Sequence, residues 1–309
     1  MLSESCTLSL LAGPTDARFL EPVAEHLVKQ HPRPFEAKIL IVDDLPSTDG
    51  TPAAERSGWV QFEKICAALE RGGLFTLRTF LSQVSSDLAI INKHFDRRPP
   101  YLRDFRRVPL CGWIAGLESS TCRFHVHFDS DIFVHQQAGF DWISEGIGIL
   151  QRQNDVLCVA PHPGPPRRDG VLLDQEAGYS ADAYGNYVFT SFSSRRFLVD
   201  RERFKQLLPL PVSSASRRLW LKAFLTGQSP LHNWEALVSR RMMEACLRRV
   251  HLKTASAWAL HAPEHGPAFV DLLPVLIPSI EHGWYPPEQA GRYDLDLGAW
   301  KSHSPQWSK

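Results

Sequence analysis

Arg123-Phe124-His125-Val126-His127-Phe128-Asp129-Ser130-Asp131 is the stretch that decides the fold class of this chain. Successive side chains of an extended segment leave opposite faces, so His125, His127, Asp129 and Asp131 share one face. Phe124, Val126 and Phe128 share the other and turn toward a core. Two carboxylates at i and i+2, where a strand ends, suit a hard cation such as Mg²⁺ or Mn²⁺ that keeps open positions for phosphate oxygens. The plainer alternative is a strand end with solvated carboxylates and two histidines satisfied by neighbours.

Upstream, Cys6 to Ala12 is apolar and stops at Gly13-Pro14, a turn signal. Asp16 is placed to cap a helix whose apolar residues Phe19, Val23, Leu27 and Val28 recur at helical spacing. Lys38 to Val42 is a short strand ending at Asp43-Asp44. This β-α-β order predicts a parallel sheet that presents ligand groups at its strand ends. Residues 59–71 and 76–94 carry helical periodicity. Val108 to Leu117 reads as a helix in which Gly112 and Gly116 permit close packing.

Downstream, Asp155 to Ala160, Tyr187 to Phe192 and Arg196 to Val199 read as strands, and a helix starts near Arg201. Asn233 caps a helix expected to run to about Arg249. The last forty or so residues, rich in Pro, Gly and Trp, are expected to wrap the domain.

The chain has 309 residues, enough for a sizeable core. Lys plus Arg equals Asp plus Glu at 34 each, so no global field favours nucleic acid or an anionic membrane. Six scattered cysteines form neither a zinc-thiolate set nor a CxxC motif. With no basic region before the first apolar run and no stretch long enough to span a bilayer, a cytoplasmic protein with reduced thiols is expected.

The segment from Phe124 to Val134, read after Val108-Pro109-Leu110 and Gly112-Trp113, resembles family 2 glycosyltransferases of the GT-A fold. The likeness extends to the N-terminal strand, to Ile41-Val42-Asp43-Asp44 and to the block Phe197 to Phe204. It implies a three-layer α/β sandwich with a mainly parallel mixed central sheet and a Rossmann-like N-terminal half. Residues 1–265 would form one catalytic domain, with 1–131 as the nucleotide-sugar half and 132–265 as the acceptor half. Residues 266–309 would be an extension packed on it.

The same resemblance implies roles. Asp131 is the direct metal ligand, and Asp129 contacts the ribose or supports the metal, with Ser130 beside them on the nucleotide side. Asp43 or Asp44 meets the nucleobase, next to the backbone of Leu11, Ala12 and Gly13. His261 resembles a late histidine that completes a Mn²⁺ or Mg²⁺ site in some members. Glu235, in the first turn of its helix, resembles the base of inverting members, with Asp182 and Glu176 as alternatives; helix dipoles also favour acids there. The donor implied is a UDP-sugar, and the acceptor a glycan or small molecule. No QxxRW signature and no membrane span are present, which favours single-sugar transfer.

Among the tryptophans, Trp113, Trp142 and Trp234 are candidates to stack on sugar rings, although two of the three are expected in the core. The Arg97 to Arg107 stretch offers a diphosphate contact or a solvated face. The loop from His162 to Arg168 is a candidate border for the acceptor.

Three other classes compete. His125-Val126-His127-Phe128-Asp129 partly matches the HxHxDH zinc site of metallo-β-lactamase-like hydrolases, but Ser130 stands at its sixth position. An apolar strand ending in DxD also resembles haloacid-dehalogenase-like phosphatases, which place the motif on an early strand. A non-catalytic sugar-nucleotide-binding module shares every feature above.

Overall fold

A computed structural model describes residues 4–47, 50–173, 178–213, 217–226 and 229–302. Strands β1 (Cys6–Ala12), β2 (Ala37–Val42), β3 (Leu77–Phe80) and β4 (Phe124–Asp129) are parallel, in the order β3-β2-β1-β4. Parallel neighbours need crossovers. These are α1 (Leu20–Gln30), α2 (Trp59–Arg71), and the group α3 (Leu81–Ser86), α4 (Leu88–His94) and α5 (Gly112–Ser119).

The helix expected over 76–94 is divided. Residues 77–80 pair along β2 as a strand, and the Asp87 carboxylate accepts from the backbone N–H groups of Ala89 and Ile90, so a new helix starts there. Asp16 does not cap α1 either; its carboxylate turns back toward Gly13.

After Asp129 the chain leaves the main sheet. Strand β5 (Ile132–Gln136) is followed by β6 (Val156–Ala160), β7 (His162–Pro163), β8 (Ser180–Ala181), β9 (Tyr187–Phe189), β10 (Arg196–Asp200), β11 (Arg248–His251) and β12 (Ala257–His261). The nine-stranded sheet continues from β4 as β10-β6-β11-β9-β8, while β5-β12-β7 form a separate three-stranded sheet. β10 runs antiparallel to both β4 and β6. The architecture is α/β, with a mixed central sheet whose N-terminal half is wholly parallel.

Helices cover both faces. On one, α1, α2 and α6 (Trp142–Arg152) pack against Phe124, Val126 and Phe128. Fully burying a phenylalanine is worth about 1.5–3 kcal/mol, so this face anchors β4 firmly. On the other, α3, α4, α5, α7 (Arg201–Lys205) and, beyond α8 (Arg217–Thr226), α9 (Trp234–Glu244) share one core with Ile39 and Ile41 of β2 and Phe197 and Val199 of β10. The histidine face of β4 is therefore interior too.

Asn233 caps α9 through the N–H of Ala236, but the helix ends at Glu244 rather than near Arg249. Cys246 then takes a positive φ of 54°, and the chain turns into β11 between β6 and β9. Toward the C-terminus, α10 (Pro267–Val270), α11 (Leu273–Glu281) and α12 (Leu297–Ser302) add Phe269, Leu276 and Trp300 to the α1-side core.

Candidate active site

The turns after β1 and β4 are tied together. Asp16, buried beneath them, accepts from the Gly13 N–H at 2.8 Å and from the Ser130 hydroxyl at 2.7 Å. The Ser130 N–H in turn donates to the Leu11 carbonyl, and the Asp43 N–H to that of Ala12. Burial raises the pKa of Asp16, and the bonds from Gly13 and Ser130 pull against that rise. The backbone of Leu11, Ala12 and Gly13, expected beside a nucleotide, thus links the ends of β1, β2 and β4. Asp16 was read only as a helix cap, and no periodicity signals a carboxylate that joins two loops.

On the interior face of β4, His125 Nε2 lies 2.9 Å from Ser9 Oγ, and Ser9 Oγ lies 2.8 Å from His127 Nδ1. His127 Nε2 lies 3.1 Å from Asp129 Oδ1. Burial lowers the pKa of both imidazoles, that of His127 to about 3, so both are neutral. One assignment then satisfies all three contacts. His125 Nε2–H donates to Ser9, the Ser9 hydroxyl donates to His127 Nδ1, and His127 Nε2–H donates to Asp129. Helix α5 closes over this chain because Gly116 has no Cβ; one there would fall 2.8 Å from Ser9 Oγ. The histidines are buried supports of Asp129 and do not face an open site, so a zinc-hydrolase arrangement lacks its ligands.

Asp129 also accepts from Trp113 Nε1 at 3.3 Å. Burial and the neighbouring charge of Asp131 push its pKa well up. Asp131 goes the other way. Burial would raise its pKa, but bonds from His261 and His265 outweigh that and lower it. Their Nε2 atoms lie 3.4 and 3.5 Å from Asp131 Oδ2. His261 is oriented by Asp294, whose carboxylate lies 2.6 Å from Nδ1. Arg195 reaches the same point, with Nη1 against His261 Nε2 and 3.8 Å from Asp131 Oδ2.

Whether this cluster fits a divalent cation is decided by its donors. Among the described residues, no three His, Cys, Asp or Glu side chains form a ready ligand group, so Asp129, Asp131 and His261 are not the closed set expected from sequence. The donor types nevertheless fit. Asp131 Oδ1 is buried with no hydrogen-bond partner, two imidazoles converge on Oδ2, and Asp129 adds a second carboxylate nearby. Oxygen with imidazole nitrogen is a ligand mix for Mn²⁺. His265, which the sequence reading passed over, lies four residues after His261.

The expected nucleobase contacts are engaged elsewhere. Both Asp43 oxygens receive bonds from Arg103, at 3.0 and 2.9 Å, and both Asp44 oxygens are taken by the backbone and hydroxyl of Ser82. Arg103 is therefore a buried member of the basic stretch, while Arg106 lines the cavity. Of the three candidate tryptophans, Trp142 and Trp234 are wholly buried and Trp113 borders the cavity, so Trp234 is not a wall for a sugar. Asp182 organises the turn at 182–186 by accepting from Tyr184 and Asn186. Glu176 lies outside the described residues. His162 is buried, bonded to the Gly164 carbonyl, and Arg167 pairs with Asp169.

These groups open onto a cavity of about 490 Å³ bordered by Trp113, Asp129, Asp131, Arg195, Glu235 and Asp294, a volume typical of small-ligand sites. Glu235 enters it from the first turn of α9, with Oε2 accepting from the Ser194 N–H and hydroxyl, both at 2.9 Å. Its Oε1 makes no hydrogen bond among the described residues.

No protein-family model matches the sequence, and no curated protein does. Solved structures align with it at low identity and low TM-score. The structure of GalNAc-T7 with UDP, GalNAc and Mn²⁺ aligns at a TM-score of 0.49 and 11% identity, over 83% of this chain and 43% of that one. The chain thus spans less than half the length of GalNAc-T7. The galactosyltransferase LgtC, in complex with donor and acceptor sugar analogues, aligns at 0.37 and 11%, over 88% and 95% of the two chains. A mycobacterial protein aligns at 0.36 and 12%, over 90% and 73%. Among the described residues, no helix is long and apolar enough to cross a membrane.

Proposed function

We propose that this chain is a GT-A-type glycosyltransferase that moves a sugar from a nucleotide-diphospho-sugar donor to an acceptor hydroxyl. The observation that carries the proposal is the turn Asp129-Ser130-Asp131 at the end of the fourth parallel strand. It opens into a cavity, with one carboxylate held by His127 and Trp113 and the other faced by two imidazoles. Ligands of open α/β sheets gather at such strand ends.

Asp129, Asp131, His261 and His265 would hold a divalent cation, Mn²⁺ or Mg²⁺. When bound, it would neutralise charge that develops on the leaving diphosphate. The protein's own groups do the rest. Asp129 is fixed by the His125–Ser9–His127 chain, and Ser130 with the Leu11 to Gly13 backbone shapes the donor side. Asp43 and Asp44 set the loop there through Arg103 and Ser82, bringing the nucleobase against backbone rather than free carboxylates. Arg195 supplies positive charge for the diphosphate. The acceptor oxygen attacks the anomeric carbon and gives its proton to Glu235 Oε1. The bond from that carbon to the diphosphate breaks, and the nucleoside diphosphate leaves with the electron pair. One displacement of this kind inverts the anomeric centre.

Residues 1–131 act as the donor half, 132–265 as the acceptor half, and 266–309 as an extension. The donor is a UDP-sugar in this proposal, and transfer stops after one sugar. Nucleotide release from a panel of UDP-sugars, with and without Mn²⁺, tests it. Mn²⁺-dependent UDP release is expected, with a drop of roughly 10²-fold or more in Asp131→Ala, since loss of even a supporting group of a metal site costs 10–100-fold. Release that ignores both Mn²⁺ and this substitution would overturn the proposal. UDP binding without turnover would instead point to a non-catalytic module.

A further inference from the structure

The cavity's far wall, built by β10, β11 and the C-terminal segment, carries Arg196, Arg249, His251 and Tyr293. Arg196 is only 2% exposed, His251 3% and Arg249 6%. A charge taken out of water is costly unless opposite charge or several hydrogen bonds replace the water. Here few of those replacements are present: Tyr293 and Asp294 act on Arg196, and Glu235 acts on Arg249, against the larger effect of burial. Arg196 Nε and Nη2, Arg249 Nε, both His251 nitrogens and the Tyr293 hydroxyl are buried without hydrogen-bond partners.

Ring faces hold the two guanidiniums. Arg196 sits 3.8 Å from the centroid of Tyr293, and Arg249 sits 4.4 Å from that of Phe189. Such faces orient a cation without supplying a counter-ion. The carboxylates that border the same cavity also serve other groups: Asp104 accepts from the Arg106 and Val108 N–H groups, Glu235 holds Ser194, Asp294 holds His261, and Asp129 and Asp131 form the cluster described above. Burial pulls both arginine pKa values down, that of Arg249 to about 10; guanidiniums keep their proton in proteins.

We propose that this wall is an oxyanion subsite that receives a carboxylate or phosphoryl group carried by the acceptor. The site itself rests on the cavity alone; assigning its occupant to the acceptor rests on the transferase proposal. The direction follows from the sheet. The diphosphate belongs at the β1–β4 end beside Asp131, whereas Arg249 and His251 lie on β11, separated from β4 by β10 and β6; Arg196, on β10 opposite Phe128, stands between the two ends. Glu235, bordering the same cavity, then meets a hydroxyl of a sugar whose charged group is gripped by two guanidiniums. Buried cations of this kind discriminate strongly, because a neutral ligand leaves them unpaired.

The test is a calorimetric titration of the full chain with glucuronate, glucose 6-phosphate and methyl glucoside, each with and without UDP and Mn²⁺. One or both acids are expected to bind about tenfold or more tightly than the neutral glucoside, the scale of one charge-assisted hydrogen bond. Whichever acid wins separates carboxylate from phosphoryl. Arg249→Gln should erase that preference while Mn²⁺-dependent UDP binding persists, which also reports that the variant is folded. The parent comparison needs no variant. Equal binding of acids and glucoside would overturn the inference, and so would displacement of the acid by UDP with Mn²⁺, since the wall would then be holding the donor. Acid binding with no UDP binding under any condition would uphold the subsite while removing the transferase proposal.

Discussion

Around the turns after β1 and β4, Asp16, Asp43, Asp44, Ser130 and Asp129 all have protein partners, whereas the β10–β11 wall leaves Arg196, Arg249 and His251 with buried, unpartnered nitrogens. Both regions border one fold, yet one is closed by its own hydrogen bonds and the other is not. The closed region sets geometry: its carboxylates fix loops before any ligand arrives. The open wall keeps donors in reserve. Asp131 Oδ1, a buried carboxylate oxygen with no hydrogen-bond partner among the described residues, is an opening in the closed network, and it sits where a cation is proposed. Buried polar groups without partners point to where a ligand would sit, because leaving them unpaired is costly.

The largest effect expected is at the closed end. Asp43→Ala leaves Arg103 buried without its carboxylate, and breaking such a pair costs about 3–5 kcal/mol. The lower part of that range is expected, since Arg103 also donates to the carbonyls of Leu45, Pro46 and Arg107. Chemical denaturation measures it. An unchanged midpoint would mean that this end is not held by its ion pair.

Next comes Glu235→Gln, which keeps the bond to Ser194 within reach but removes the proton acceptor. Turnover should fall by roughly 10²-fold, with nucleotide affinity nearly unchanged. Proton NMR of the product from an α-linked donor decides the stereochemistry; a β-linked product is expected, and an α-linked one would exclude single displacement. The smallest effect sharpens the closed region again. Gly116→Ala would put a Cβ 2.8 Å from Ser9 Oγ and 3.0 Å from His125 Nε2, and such overpacking typically costs about 1–3 kcal/mol. Equilibrium unfolding would show it, and a neutral result would mean that α5 has room to lift off β1.

Much of the fold was legible because its signals are local. Alternation in 124–128 and the short runs at 6–12 and 38–42 specified parallel strands, and Gly112 with Gly116 announced a helix lying close on them. β3 was read as helix, and the start of β11 as the end of the helix from Asn233, because each strand is short and pairing partners distant in sequence override local propensity. The face shared by His125, His127 and Asp129 was readable from strand period, but its burial was not, since α5 covers it only in the folded chain. The observed roles of Asp16, Arg103, His265 and Asp294 were not legible, for one physical reason. Each acts across the fold, on Ser130, Asp43, Asp131 and His261 respectively, and no spacing rule encodes such contacts.

The central claim is that the Asp129-Ser130-Asp131 turn binds a nucleotide diphosphate together with a divalent cation. Titration calorimetry of UDP into the full chain, with Mn²⁺ and with chelator, tests it most directly when run beside Asp131→Ala. Saturable heat is expected only for the parent with Mn²⁺, and Asp131→Ala should lose it while keeping the parent's melting temperature. UDP binding of equal affinity in chelator, or in Asp131→Ala with Mn²⁺, would contradict the claim.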